Sequence, residues 1–344
     1  MTNANTNIPR IVLGTMTFGT ETTTTDGVSV VRVYGAENVG KFVEKFHSFG
    51  HIELDTARIY GNGDTEIVLS QLPTAHLKIS TKVFPAFEGA HDEVNLPKTF
   101  RQSLDALKAT KVDILYLHAP DYGTPIEVTL KAINDLYKDG LFERFGLSNY
   151  PAWRVALIYD HCKENGYVLP SVYQGSYNPI SRLVVPELLP CLQHYNISFY
   201  AFNVVCGGLL SGKYKFDEEV PSDGGRFDSK LWSGNAFRGL YWNKLNFEGI
   251  QILEKAIKPH GISLLEASLR WMRHHSGLTV RDGIILGASS VTHLESNLTD
   301  LEKGPLPESI VVAFDEAWEH VKPTAANYFY PPKHSTLKMI KNAN

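Results

Sequence analysis

The chain has 344 residues, 43% of them hydrophobic and 20% charged, an ordinary globular composition long enough for one α/β barrel. A formal net charge of −4 supplies no basic field for nucleic acid or an anionic membrane, and no apolar run approaches the ~20 residues that span a bilayer. The polar opening from Met1 to Pro9 lacks the order of a secretory signal, and Cys162, Cys191 and Cys206, without CxxC spacing, suit a reducing cytoplasm.

Short apolar runs alternate with longer amphipathic ones. Residues 10–14 read as a first strand. Residues 38–49 have helical spacing, with Val39, Phe42, Val43 and Phe46 on one face and Gly50 as the stop. A second strand is expected at 51–55, a helix at 66–71, and a third strand at 77–82. Helix 96–107 precedes strand 112–118, and helix 126–139, closed by Gly140, precedes strand 142–148. Then come helix 153–165, strand 171–174, helix 186–194 and strand 197–201. Helices at 246–260 and 264–275 lead to an eighth strand at 283–287 and a helix at 293–301.

Eight strands interleaved with helices imply a parallel sheet. The regular spacing up to strand seven predicts an α/β fold of the (β/α)8 TIM-barrel type, in one domain. A doubly wound sheet is the alternative. It needs a Gly-rich phosphate turn after strand one, and Leu13-Gly14-Thr15-Met16-Thr17-Phe18-Gly19 matches that turn poorly. Two stretches break the rhythm. Residues 206–241, rich in Gly, Ser and Asp, fall after strand seven, where a barrel sets a loop over its functional face. Residues from Tyr328 onward form an extended tail, and residues 1–9 and 331–344 read as terminal tails.

Function in a barrel sits at the C-terminal strand ends. There the sequence places Asp55, Lys82, His118, Ser148, Asn149 and Gln174, with Tyr60 in the loop just after Asp55. Singly, each has a plain reading as a turn residue, a packing ring, a solvated strand end or a core histidine. Together they suit carbonyl reduction. A phenol is a weak acid, with a pKa of about 10, and a neighbouring ammonium lowers that value. Lys82 can be that ammonium, Asp55 can hold it charged, and His118 can orient the carbonyl oxygen.

Asp55-x4-Tyr60, Lys82 and Leu115-Tyr116-Leu117-His118 resemble the aldo-keto reductase signature. The likeness runs nearly the length of the chain. More narrowly, Val12-Leu13-Gly14-Thr15-Met16, Gly146-Leu147-Ser148-Asn149-Tyr150, Gly207-Gly208-Leu209-Leu210-Ser211-Gly212-Lys213-Tyr214 and Asn327-Tyr328-Phe329 resemble the aflatoxin-aldehyde/succinic-semialdehyde reductase branch. The resemblance implies NADP(H)-dependent reduction of aldehydes and ketones, with Tyr60 as general acid. Ser148, Asn149 and Gln174 would bond the nicotinamide carboxamide, and Tyr200 would stack on its ring. Asn203 and the Gly-rich run with Gly208, Leu209, Ser211 and Lys213 would lie over the pyrophosphate. Gly287, Ser289, Ser290, His293 and Asn297 would hold the adenosine and its 2′-phosphate at a helix start. The wider superfamily often has Lys at Gly287 and Arg at His293, and Arg226 could supply charge instead.

Met16, Trp232, Arg238 and Tyr241, with Tyr34 and Arg58, are substrate candidates beside Tyr60 and His118. The branch tends to have Arg where Leu240 and Tyr330 stand here. Both departures remove positive charge from the pocket and argue against a carboxylate-bearing aldehyde. No metal-ligand spacing stands out: His274 and His275 are adjacent, and His91-Asp92 and His47/His51 lack a third ligand. The expected partner is a small carbonyl compound, with no nucleic acid or membrane, and the branch implies a homodimer. An NADP(H)-binding regulatory subunit that senses redox state is the runner-up, although it would not require all four residues.

Overall fold

The structure, a computed structural model, describes residues 8–21, 31–217 and 225–332. The predicted terminal tails therefore lie mostly outside the described residues, as do positions 218–224 of the long loop.

The chain begins with β1 (Arg10–Gly14), a two-strand ribbon of β2 (Phe18–Gly19) and β3 (Val33–Tyr34), and α1 (Ala36–Ser48). It continues through β4 (Glu53–Asp55), α2 (Asp64–Leu69), β5 (Lys78–Val83), α3 (Asn95–Leu107), β6 (Val112–Leu117), α4 (Ile126–Lys138) and β7 (Phe142–Ser148). Then follow α5 (Ala152–Glu164), β8 (Pro170–Ser176), α6 (Leu188–His194), β9 (Ser198–Phe202), α7 (Trp232–Tyr241), α8 (Lys244–Ile257) and α9 (Leu264–His274). The last elements are β10 (Gly283–Leu286), α10 (Val291–Glu302) and α11 (Glu308–Val321).

Eight strands close a parallel barrel in the order β1-β10-β9-β8-β7-β6-β5-β4, with β1 also paired to β4. This is the predicted TIM barrel. Its strands are apolar on both faces because both are covered. On β6, Ile114 and Tyr116 turn inward with Val12, Val172, Tyr200 and Ile285, while Leu115 and Leu117 join the layer under the helices. Gly146 makes room for the Tyr116 ring: a Cβ there would lie 2.3 Å from it.

Helix ends follow local signals. Gly50, at φ +82, closes the turn after α1 by donating its amide to the His47 carbonyl. The side chains of Asn243, Ser263 and Ser290 cap α8, α9 and α10 by accepting amides three residues on.

Three elements escaped the periodicity. The β2–β3 ribbon has only two residues per strand, too short for a pattern. The short helix α7 lies within the Gly-rich loop. The third, α11, packs on α8 through buried Ile310, Phe314, Ala317 and Val321. Gly249 allows that approach, since a Cβ there would meet Val321 at 2.6 Å.

Candidate active site

Register brings the strand ends to one rim. Gly14 pairs with Asp55, Asp55 with Ser80, Lys82 with Tyr116, and Ser148 with Gln174. Asp55, Tyr60, Lys82 and His118 therefore converge, although 63 positions separate the first from the last by their numbers. Lys82 is fully buried at the centre. Its Nζ donates to Asp55 Oδ2 at 2.6 Å, to the Thr56 carbonyl at 2.8 Å and to the Tyr60 hydroxyl at 3.3 Å. The Tyr60 and His118 rings meet edge-on, centroids 6.0 Å apart, and Phe84 also packs edge-on against His118 at 5.4 Å.

Charge and burial set the protonation of this group. Burial pulls the Lys82 pKa down, but Asp55 and Tyr60 together outweigh it and hold the ammonium above its ordinary value. Burial raises the Tyr60 phenol, and Lys82 pulls against that rise. Burial, then Lys82 and His91, drive His118 well below the usual histidine value. Near neutral pH the site thus holds an ammonium, a protonated phenol and a neutral imidazole.

Polar side chains flank the four. Asn149 adopts φ +63 and donates its amide to the His118 carbonyl at 2.8 Å and to Ser148 Oγ at 3.1 Å. Gln174 donates Nε2 to Asp55 Oδ1 at 2.8 Å, so one carboxylate oxygen faces Lys82 and the other Gln174. Behind His118, His91 donates Nε2 toward the Val83 carbonyl at 3.1 Å, and burial lowers its pKa to about 4.

Tyr200 is not on this rim as a stacking platform. Its hydroxyl donates to Glu53 Oε2 at 3.0 Å and accepts from Arg10 and Arg144 at 3.3 and 3.4 Å, in an ion-pair network that Asp113 extends. The ring fills the barrel interior and its polar end points to the N-terminal side of the strands. Strand alternation puts the next inward side chain two residues on. That residue is Phe202, half-buried against the interior cluster at the end of β9. The expected strand end at residue 201 hid this signal.

The segment after β9 is sharply turned. Asn203, Cys206, Gly207 and Gly208 all have positive φ. Asn203 Oδ1 accepts the Gly207 amide at 2.8 Å, and its Nδ2 donates to the Tyr241 hydroxyl. A Cβ on Gly208 would meet nothing within 4 Å, so the turn opens outward there. Leu209 is buried in the core and offers only backbone, while Ser211 and Lys213 are exposed and Lys213 lies over the Tyr214 ring. Arg226 reaches back across this segment. Its guanidinium stacks on Phe237 and lies close enough to Tyr60 to favour the ionised form of that phenol.

At the far end, Ser290 caps α10, and Ser289 Oγ and His293 Nδ1 lie 3.1 Å apart. Gly287 is exposed, and Asn297 is buried with an unpartnered Oδ1.

The substrate candidates divide. Met16 and Tyr34 are half-buried in the segment after β1. Arg58 turns away from the rim and pairs with buried Glu66 at 2.6 Å. Tyr241 is buried and clamps the loop through Asn203, so it presents no free hydroxyl. Arg238 stacks on Trp242. Trp232 opens α7, and its side chain lies outside the described residues. Tyr330 sits beside the four: its amide donates to the Asn149 carbonyl at 3.0 Å, and its own carbonyl accepts from Tyr122 at 2.8 Å. The described end of the chain is therefore draped across the rim. Among the described residues, no three His, Cys, Asp or Glu side chains form a metal-holding group, and no helix is long and apolar enough to cross a membrane.

Known proteins resemble this chain over most of its length. The human aldo-keto reductase family 7 member A3 is 42% identical over 334 residues, covering 93% of this chain and 97% of its own length. The mouse aflatoxin B1 aldehyde reductase member 2 is 41% identical, covering 93% and 88%. An aldo-keto reductase of Pseudocercospora fijiensis is 42% identical over 295 residues, covering 83% and 99%. A profile of the aldo/keto reductase family matches residues 10–319, a span that contains the closed barrel and all four converging side chains. The chain belongs to the aldo/keto reductase family.

Proposed function

We propose that the protein reduces small aldehydes or ketones to alcohols with NADPH, and that Tyr60 is the proton donor. One observation carries the reading. A buried, charged Lys82 bridges Asp55 and the Tyr60 hydroxyl, on the rim where a half-buried neutral imidazole also stands.

The residues present suit a nicotinamide dinucleotide. Gln174 spends its Nε2 on Asp55, leaving Oε1 as the acceptor for a carboxamide N–H. Ser148 and Asn149 stand next to it on the rim. Phe202 is the ring positioned to pack on the nicotinamide. Gly208 opens outward on the turn after β9, and the orphaned Asn297 Oδ1 offers an acceptor at the adenosine end. When bound, the reduced nicotinamide supplies the hydride.

The chain's own residues do the rest. His118, uncharged, donates a hydrogen bond to the carbonyl oxygen and aims it. Tyr60 gives its proton to that oxygen as negative charge develops there, and Lys82 stabilises the phenolate left behind. Asp55 keeps Lys82 charged. Tyr330 and the described C-terminal segment cover one side of the rim and help exclude water.

NADPH oxidation with 4-nitrobenzaldehyde or a dicarbonyl tests this. Tyr60→Phe should abolish turnover while NADPH still binds. A Tyr60→Phe enzyme as fast as the wild type would remove the phenol from the chemistry. Tight NADPH binding with no turnover across a broad carbonyl panel would favour the regulatory reading.

A further inference from the structure

The predicted adenosine end of the site has a charge problem. A phosphate monoester is best held by charge-assisted hydrogen bonds, and Arg suits it above other residues. Around the start of α10 there is Gly at 287 and His at 293, Ser289 Oγ is engaged with His293, and Ser290 Oγ is engaged in capping. The remaining first-turn amides lack intrahelical acceptors, but amides alone give a weak and unselective anion site.

A cavity of about 270 Å³ opens beside Ser289 and Val291. Its lining also includes Arg32, just before β3, Tyr34 of β3, and Asn38 and Lys41 of α1. That volume is below the ~300 Å³ typical of a drug-sized pocket, so it suits one substituent of a larger ligand. The lining segments are tied together. Thr17 Oγ1 donates to the Ala288 carbonyl at 3.2 Å, and Lys45 of α1 pairs with Glu295 of α10 at 2.8 Å.

The cations in this cavity are not equivalent. Lys41 is exposed and paired with Glu37 at 2.7 Å. Arg32 is half-buried, donates only to the adjacent Val31 carbonyl at 2.7 Å, and meets no carboxylate among the described residues. Its backbone is held by the ribbon, with the Arg32 amide donating to the Thr17 carbonyl at 2.8 Å. Burial lowers the Arg226 pKa, and the charge of Arg32 adds to that lowering, so the two guanidiniums lie within electrostatic reach of each other. Two neighbouring arginines, neither paired with a carboxylate among the described residues, make a field that an anion relieves.

We propose that this cavity receives the 2′-phosphate of the dinucleotide and that Arg32 is the residue that discriminates NADPH from NADH. The charge comes from the ribbon after β1 and from α1. This rests on the cofactor reading above.

Calorimetric titration of the full chain with 2′,5′-ADP and 5′-AMP, and with NADPH and NADH, tests the assignment without turnover. Arg32→Ala should weaken 2′,5′-ADP and NADPH by ~tenfold or more and leave 5′-AMP and NADH unchanged. Arg32→Lys should recover part of the loss, and Lys41→Ala should show a smaller loss of the same selectivity. Equal weakening of both ligands in each pair would place Arg32 at the pyrophosphate, or in folding, and overturn the proposal. Unchanged binding of all four ligands by Arg32→Ala would also overturn it. A wild-type chain that binds neither dinucleotide would sink the cofactor reading itself.

Discussion

Asp55→Asn separates the structural and chemical parts of the buried ion pair. Lys82 is fully enclosed and has three acceptors: one carboxylate oxygen, one carbonyl and one phenol. Removing the carboxylate charge leaves only neutral acceptors for an ammonium that burial already penalises. Breaking a buried pair from one side destabilises by ~3–5 kcal/mol. The loss should lie toward the lower end, because the Thr56 carbonyl and Tyr60 hydroxyl remain. Asp55→Asn/Lys82→Met should regain most of the stability, since it removes the stranded charge, yet neither variant should turn over carbonyls. Urea unfolding of wild type, both single variants and the double variant closes the cycle. The pH dependence gives a second reading. Lys82 has a folded pKa above its unfolded value, so its contribution is complete below about pH 10.4 and fades as pH rises through the folded value. A loss under ~1 kcal/mol for Asp55→Asn, within the range of exposed pairs, would refute the claim that this pair is buried and charged.

Three further outcomes are expected. Tyr200→Phe removes a hydroxyl shared by Glu53, Arg10 and Arg144, so it should lower unfolding free energy by ~1–3 kcal/mol and leave the NADPH dissociation constant unchanged. A weakened cofactor with unaltered stability would return Tyr200 to the nicotinamide. Because His118 is pushed well below its ordinary value, kcat/KM should show no imidazole ionisation near pH 6.5; a falling limb centred there, abolished in His118→Gln, would contradict its neutral state. Tyr330→Arg places a cation beside Asn149 and Tyr60 and should lower KM for a carboxylate-bearing aldehyde relative to an uncharged one of similar size. An equal change for both aldehydes would mean that the position does not read substrate charge.

Much of this site was legible because its signals are local. Polar residues at the ends of apolar strands announce a barrel rim, and Asp55, Lys82, His118, Ser148, Asn149 and Gln174 all stand there. The stop at Gly50 is short-range hydrogen-bond chemistry, so the end of the first helix was placed to within a residue. Helix α11 was missed for the opposite reason. Its burial depends on α8, which lies more than fifty positions earlier in the chain.

The sequence by itself determined the barrel, the family and the identity of the converging side chains, because strand period and residue type act over a few positions. Only the tertiary structure decided which way those side chains face and what they meet. Closing the barrel sent the Tyr200 hydroxyl into an ion-pair network and left Phe202 at the rim. It turned Arg58 toward buried Glu66, locked Tyr241 against Asn203, and brought Arg32 into one cavity with Ser289. Each of these depends on desolvation and on partners distant in the chain, and neither can be read from a residue's immediate neighbours.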